Sequence, residues 1–204
     1  MDILVGTTNP GKVKEYATLL AGLPVRLLGL ADVGLAQMDV VEDGATFEEN
    51  AIIKARAYAV AAGLTALADD SGLCVDALGG APGLHSARYG GPGLDDAGRR
   101  QKLLAALQDV PNAERGAYFI CVIAVFDPAT NTVLTAEGRC PGHIATAESR
   151  GSGGFGYDKL FVPQGYDRSF ADFDKAEKNR ISHRGRAADT LRPQLADWLV
   201  EQSE

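Results

Sequence analysis

The chain has 204 residues, 46% hydrophobic and 23% charged, with a net charge of −7 and a sequence pI near 5.0. That length can bury a substantial core without disulfides or a structural metal. No apolar run approaches the ~18 residues of a membrane span, and no basic stripe of the kind that wraps a nucleic acid is visible, so neither partner is expected.

The opening Met1-Asp2-Ile3-Leu4-Val5 lacks a basic stretch before its apolar residues and reads as a first buried strand, not a signal peptide. A helix should follow, with Asn9 as N-cap, Pro10 in the first position and Val13, Tyr16, Ala17 and Leu20 on one apolar face. Thr46 and Glu49 have capping-box spacing, and Phe47, Ala51, Ala55, Tyr58 and Ala62 recur at helical spacing until Gly63. Residues 64–68 read as a short strand ending at Asp69-Asp70-Ser71-Gly72. Asp95 caps a third helix carrying Leu103, Leu104 and Leu107. Residues 117–127 and 132–140 are strand-like runs around Pro128-Ala129-Thr130-Asn131, so an antiparallel hairpin is expected. A last helix spans 187–201. The fold class is therefore α/β with a mixed sheet, in one domain covering 1–204. Cys74, Cys121 and Cys140 are too widely spaced for a zinc or redox motif and read as reduced core residues, which suits a cytoplasmic setting.

Four segments carry the chemistry. Thr7-Thr8-Asn9-Pro10-Gly11-Lys12 lies between the first strand and first helix, where free N–H groups, a helix dipole, hydroxyls and a lysine favour an anion. Its spacing is not that of a P-loop. Asp69-Asp70 offers hard oxygen ligands for Mg²⁺ at a strand end, with Glu42 as a further ligand from a neighbouring loop. The two side chains should diverge unless the strand has already ended. Gly151-Ser152-Gly153-Gly154-Phe155-Gly156-Tyr157-Asp158 matches G-x-G-x-x-G but lacks the strand-before, helix-after context of a dinucleotide fold. It reads instead as a flexible loop presenting Phe155 and Tyr157 to a base. Lys178-Asn179-Arg180-Ile181-Ser182-His183-Arg184-Gly185 concentrates donors that suit a phosphate or the 6-oxo group of hypoxanthine and xanthine.

Taken in order, these blocks resemble the inosine triphosphate pyrophosphatase family. The matching residues are Thr7-x-Asn9-x-x-Lys12, Glu42-x-Gly44-x-Thr46-Phe47-x-Glu49-Asn50-Ala51-x-x-Lys54-Ala55, Asp69-Asp70-Ser71-Gly72-Leu73, Gly79-Gly80-Ala81-Pro82-Gly83, Ser86-Ala87-Arg88-Tyr89, Gly153 to Asp158 and Ser182-His183-Arg184-Gly185. Thr8 stands where many members carry glycine, and Val41 precedes Glu42 in a stretch whose acidic residues vary.

The resemblance implies an elongated two-lobed homodimer with the nucleotide in a cleft between lobes. It implies Mg²⁺-dependent hydrolysis of nonstandard purine nucleoside triphosphates (ITP, dITP, XTP) to a monophosphate and pyrophosphate. Thr7, Thr8, Asn9, Pro10, Gly11 and Lys12 would bind phosphate. Asp70 would be proton acceptor and metal ligand, Glu42 the second ligand and Ser71 a substrate contact. Phe155, Gly156, Tyr157, Asp158, Lys178, His183 and Arg184 would read the base. Asp69 remains a second candidate for handling the attacking water, and Lys54 a candidate for the departing oxygens. The rivals are a related hydrolase preferring pyrimidine or other modified nucleotides, a nucleotide-binding regulator and an NAD-dependent oxidoreductase.

Overall fold

The computed structural model describes residues 1–202. Six strands, β1 (Asp2–Val5), β2 (Arg26–Gly29), β3 (Ala66–Val75), β4 (Gly116–Asp127), β5 (Thr132–Ile144) and β6 (Phe161–Pro163), form one sheet in the order β2-β1-β3-β4-β5-β6. β1 runs parallel to β2 and β3, with Leu4 opposite Leu28 and Ala66. β5 and β6 are antiparallel. Neighbours β4 and β5 are joined by only residues 128–131, a connection short enough only for antiparallel strands. The fold is thus α/β with a mixed sheet flanked by helices, as the sequence indicated.

Five α-helices accompany the described strands: α1 (Pro10–Leu19), α2 (Phe47–Ala62), α3 (Asp96–Ala106), α4 (Lys175–Ile181) and α5 (His183–Glu201). The expected caps of the first three are present. Asn9, Thr46 and Asp95 each accept a backbone N–H from the first turn, and Gly63 ends α2 at φ 64°. Two details differ from expectation. Ala17 is exposed, and Leu19 packs on the core in its place. The carboxylate of Glu49 reaches the N–H of Ala45, one residue before the cap. α4, which the sequence reading missed, is started by a capping box between Asp174 and Glu177. α5 begins four residues earlier than expected and accommodates Pro193 inside it.

The chain divides into two compact units. The first comprises Met1–Asp70, Cys121–Gly138 and the segment from Arg184 onward; the second comprises Ser71–Ile120 and Arg139–His183. In the first unit the strand pleat sorts side chains onto two faces. Ile3, Val5, Leu67, Cys121, Ile123 and Val125 pack with Tyr16 of α1 and with Ala188, Leu191 and Trp198 of α5. Leu4, Ala66, Ala68, Val122, Ala124 and Phe126 pack with Ala51, Ala55 and Tyr58 of α2 on the other face. Gly6 follows β1 because a Cβ there would run into the ring of Tyr58. The second unit is built around Leu73, Val75, Leu103, Leu107 and an aromatic cluster in which Phe161 and Phe170 have ring centroids 5.1 Å apart. There the buried guanidinium of Arg115 donates to the carbonyls of Leu107, Val110 and Ala145, closing the end of α3. All three cysteines are buried and none is in a disulfide among the described residues, as expected. Among the described residues no helix is long and apolar enough to cross a membrane.

Candidate active site

The main correction to the sequence reading is the length of β3. The strand does not stop at residue 68 but continues through Asp69 and Asp70 to Val75. Strand alternation therefore applies at the acidic pair, and the two side chains diverge. Asp69 follows Leu67 onto the α1 and α5 face. Asp70 follows Ala68 onto the α2 face.

Asp69 is 4% exposed and flanked by cations. Lys12 Nζ donates to both of its carboxylate oxygens at 3.0 Å, and Arg184 Nη2 approaches Oδ2 at 3.3 Å. Arg184, equally buried, turns its other terminal nitrogen to the two oxygens of Glu15 at 3.2 and 3.1 Å. Burial works against the Arg184 guanidinium, but Asp69 and Glu15 outweigh it and hold its pKa well above the ordinary value. The Tyr16 phenol beside this network is pushed up, first by burial and then by the Asp69 charge, so it stays neutral. The result is an alternating chain Lys12, Asp69, Arg184, Glu15 under the first turns of α1 and α5.

Asp70 belongs to a second network. Asn50 and Lys54 lie four residues apart on α2, hence on one helix face. Lys54 Nζ donates to Asp70 Oδ1 at 3.1 Å and to Glu42 Oε2 at 3.0 Å. Asn50 Nδ2 donates to Asp70 Oδ2 at 3.2 Å, while its Oδ1 accepts the N–H of Gly44 at 2.9 Å. Glu42 and Asp70, 28 positions apart in sequence, are thus brought to one ammonium. Burial would lower the Lys54 pKa, yet Asp70 and Glu42 raise it above its usual value. The side chain of Asp70 is 13% exposed against 2% for Asp69, so it is the more accessible acid.

Two hard carboxylates at one point suit Mg²⁺, which commonly takes one or two carboxylates and completes its shell with water and substrate phosphates. Among the described residues no group of three or more His, Cys, Asp or Glu is placed to hold a metal ion. Asn50 was not singled out by sequence reading. The available signal was a polar residue on α2 beside the inward-facing Ala51 and four positions before Lys54.

The first candidate segment holds its own turn together: Asn9 N–H donates to Thr7 Oγ1 and Gly11 N–H to Asn9 Oδ1. Thr8, Asn9, Pro10 and Gly11 are exposed at the start of α1, where free N–H groups are expected. Ser71 is half-buried in β3 beyond Asp70.

In the second unit hydrogen bonds tie the glycine-rich segment to its neighbours. Gly153 N–H donates to Ala171 O, Gly156 N–H to Asp96, and Arg100 to Gly156 O. Gly154 is required because a Cβ would collide with the Asp158 carboxylate, at a φ of 71°. Phe155 is 53% exposed, whereas Tyr157 is a core residue whose hydroxyl donates to Ser86 O at 2.9 Å. Phe155 alone is presented as a ring face. Asp158, buried, accepts the N–H of Phe155 and pairs with Lys178 Nζ at 2.6 Å. That ammonium also lies 5.4 Å from the Phe155 ring centroid and 5.2 Å from that of Phe170. His183 is buried and stacked on Phe119 with centroids 4.7 Å apart. Of the base-reading candidates, Phe155, Gly156, Asp158 and Lys178 are therefore gathered around one loop. Arg184 belongs to the Asp69 network of the first unit.

The model of the Ham1 family matches residues 3–194. The chain is 46% identical to the dITP/XTP pyrophosphatase of Anaeromyxobacter dehalogenans, over 96% of this chain and 97% of that protein. Its structure is similar to that of a HAM1 protein from Coxiella burnetii, with a TM-score of 0.86, 42% identity and coverage of 98% and 99%. A second solved structure, the nucleoside-triphosphatase or dITP/XTP pyrophosphatase of Mycobacterium abscessus, superposes at a TM-score of 0.76, with 45% identity over 95% of this chain and all of that one.

Proposed function

Because the chain belongs to the Ham1 family, we propose that it hydrolyses nonstandard purine nucleoside triphosphates such as dITP, ITP and XTP to the monophosphate and pyrophosphate. The observation that carries this reading is the convergence of Glu42 and Asp70 on Lys54, with Asn50 behind them. A regulator that merely bound nucleotide would gain little from crowding carboxylates where phosphates must sit.

Glu42 and Asp70 would hold Mg²⁺, which when bound supplies charge neutralisation on the phosphate oxygens. Asp70 orients a water and accepts its proton as the oxygen attacks the α-phosphorus. The bond from that phosphorus to the bridging oxygen breaks, and pyrophosphate leaves with the electron pair. Lys12, Lys54 and the N–H groups at the start of α1 stabilise the departing oxygens. At the base, Lys178 donates to the 6-oxo group while the exposed Phe155 ring stacks on the purine. An adenine amino group would set donor against donor there, and buried polar mismatches of this kind discriminate strongly. The resemblance extends the base site to His183 and Arg184 and the substrate contacts to Ser71. Homodimeric assembly and a cytoplasmic setting belong to the same proposal, the latter supported by three buried cysteines outside any disulfide.

The test is product analysis on ITP, XTP, dITP, ATP, GTP and dTTP, with Mg²⁺ and with EDTA. Metal-dependent pyrophosphate from the first three, with ATP and GTP nearly inert, is expected. Orthophosphate as the product, or activity confined to dTTP, would overturn the reading.

A further inference from the structure

The point on which the two carboxylates converge is filled by a cation that the chain itself supplies. Lys54 Nζ stands 3.0 Å from Glu42 Oε2 and 3.1 Å from Asp70 Oδ1. Resting on the reading that these carboxylates are the metal ligands, we propose that Lys54 holds the metal's place in the nucleotide-free protein. It gives up that place only to a metal that arrives already bound to a triphosphate.

Three features lead there. First, an ammonium on a four-carbon stem is a mobile point charge with rotatable donors, so its partners are exchangeable. Second, a free divalent cation entering the site would meet that ammonium at close range and would have to displace it from both carboxylates. A triphosphate reverses the balance, because its oxygens offer Lys54 a replacement partner while completing the metal's shell. Third, the carboxylate pair has a neutral tie that does not depend on Lys54. Asn50, 3% exposed, joins Asp70 to the Glu42 loop through the N–H of Gly44. A Cβ on Gly44 would lie 2.7 Å from Asn50 Oδ1, so this close approach requires glycine. Asn50 is in this account the positioning residue that keeps Glu42 and Asp70 assembled when the lysine moves.

The experiment is Mn²⁺ binding followed by electron paramagnetic resonance, on full-length protein with and without α,β-methylene-ITP, which cannot be cleaved. Wild type should bind Mn²⁺ at least about tenfold more tightly with the analogue than without it. Lys54→Met should bind Mn²⁺ without nucleotide at least about tenfold more tightly than wild type, and adding Asn50→Ala should erase that gain. Lys54→Gln, also uncharged, provides the same test if the methionine variant folds poorly. The proposal is overturned if free wild type already binds Mn²⁺ as tightly as it does with the analogue. It is equally overturned if removing the Lys54 charge gives no gain. Glu42→Gln and Asp70→Asn in the presence of the analogue separate the two levels of failure. If both weaken Mn²⁺ binding while the Lys54 variants gain nothing, the ligand assignment stands and only the placeholder falls. If neither weakens it, the ligand assignment fails and takes the placeholder with it.

Discussion

The divergence of Asp69 and Asp70 makes a sharp prediction, because the same chemical change at adjacent positions should do opposite things. Asp69→Asn removes the charge shared by Lys12 and Arg184, whose side chains are 20% and 4% exposed. Removing one partner of a buried ion pair typically costs about 3–5 kcal/mol. Glu15 still faces Arg184, and Lys12 can reach water, so the expected loss is nearer ~2–4 kcal/mol. For a domain of this size that lowers Tm by about 5–15 °C. Asp70→Asn should cost only about 1 kcal/mol, since Glu42 remains on Lys54 and an amide oxygen still accepts from it. Its kcat on ITP should instead fall at least ~100-fold, the lower end of a general-base contribution. The assays are thermal unfolding by circular dichroism and pyrophosphate release at 20 °C. If Asp69→Asn melts no lower than Asp70→Asn, the buried network does not carry the load assigned to it. If Asp70→Asn keeps near-wild-type turnover, Asp70 is not the base.

Three further substitutions test other parts of the argument. Lys178→Met should reduce the ITP over ATP ratio of kcat/KM by about tenfold or more, and an unchanged ratio would remove Lys178 from base reading. Tyr157→Phe deletes the buried hydroxyl donor to Ser86 O and should lower stability by about 1–2 kcal/mol, with the ITP to ATP preference untouched; a changed preference would return Tyr157 to the base site. Gly6→Ala places a methyl against the Tyr58 ring and should cost about 1–3 kcal/mol. Most of that loss should be recovered in Gly6→Ala/Tyr58→Leu, and thermal melts of the single and double variants decide it.

Helices with both a cap and a repeating apolar face were legible. α1, α2 and α3 carry Asn9, Thr46 and Asp95 at the right distance from their buried residues. α4 was not, because seven residues are too few to display a period, although Asp174 and Glu177 have capping-box spacing. Asp69-Asp70-Ser71-Gly72 has the composition of a turn, and local propensity places a strand end there. The strand persists because each acid finds cations or an amide on its own face, and those partners lie far away in sequence: Arg184 is 115 residues from Asp69. No local pattern reveals such a pairing. The same holds for Tyr157, read from the sequence as a ring presented to a base: it is a core residue whose hydroxyl donates to a carbonyl 71 residues away. Glycine carried two different meanings. Gly63 marks a helix end by its left-handed backbone, whereas Gly151 and Gly153 make room for the carbonyl of Ala171.

That a strand runs through the acidic pair also constrains what each residue can contribute to catalysis. A general base needs a lone pair that can reach the attacking water. Lys12 takes both oxygens of Asp69, and Arg184 adds a third contact to one of them. Accepting a proton there would uncover a guanidinium that is almost fully buried. Asp70 faces the other way and is more exposed; the Lys54 ammonium that bonds it has Glu42 as a second partner, and a protonated carboxyl can still accept from Asn50 Nδ2. Its neutralisation is therefore the less costly of the two. For the proposed reaction, the pleat of β3 favours Asp70 over Asp69 as the proton acceptor. The acid on the α2 face is suited to proton transfer, and the acid on the α1 face ties down the starts of two helices.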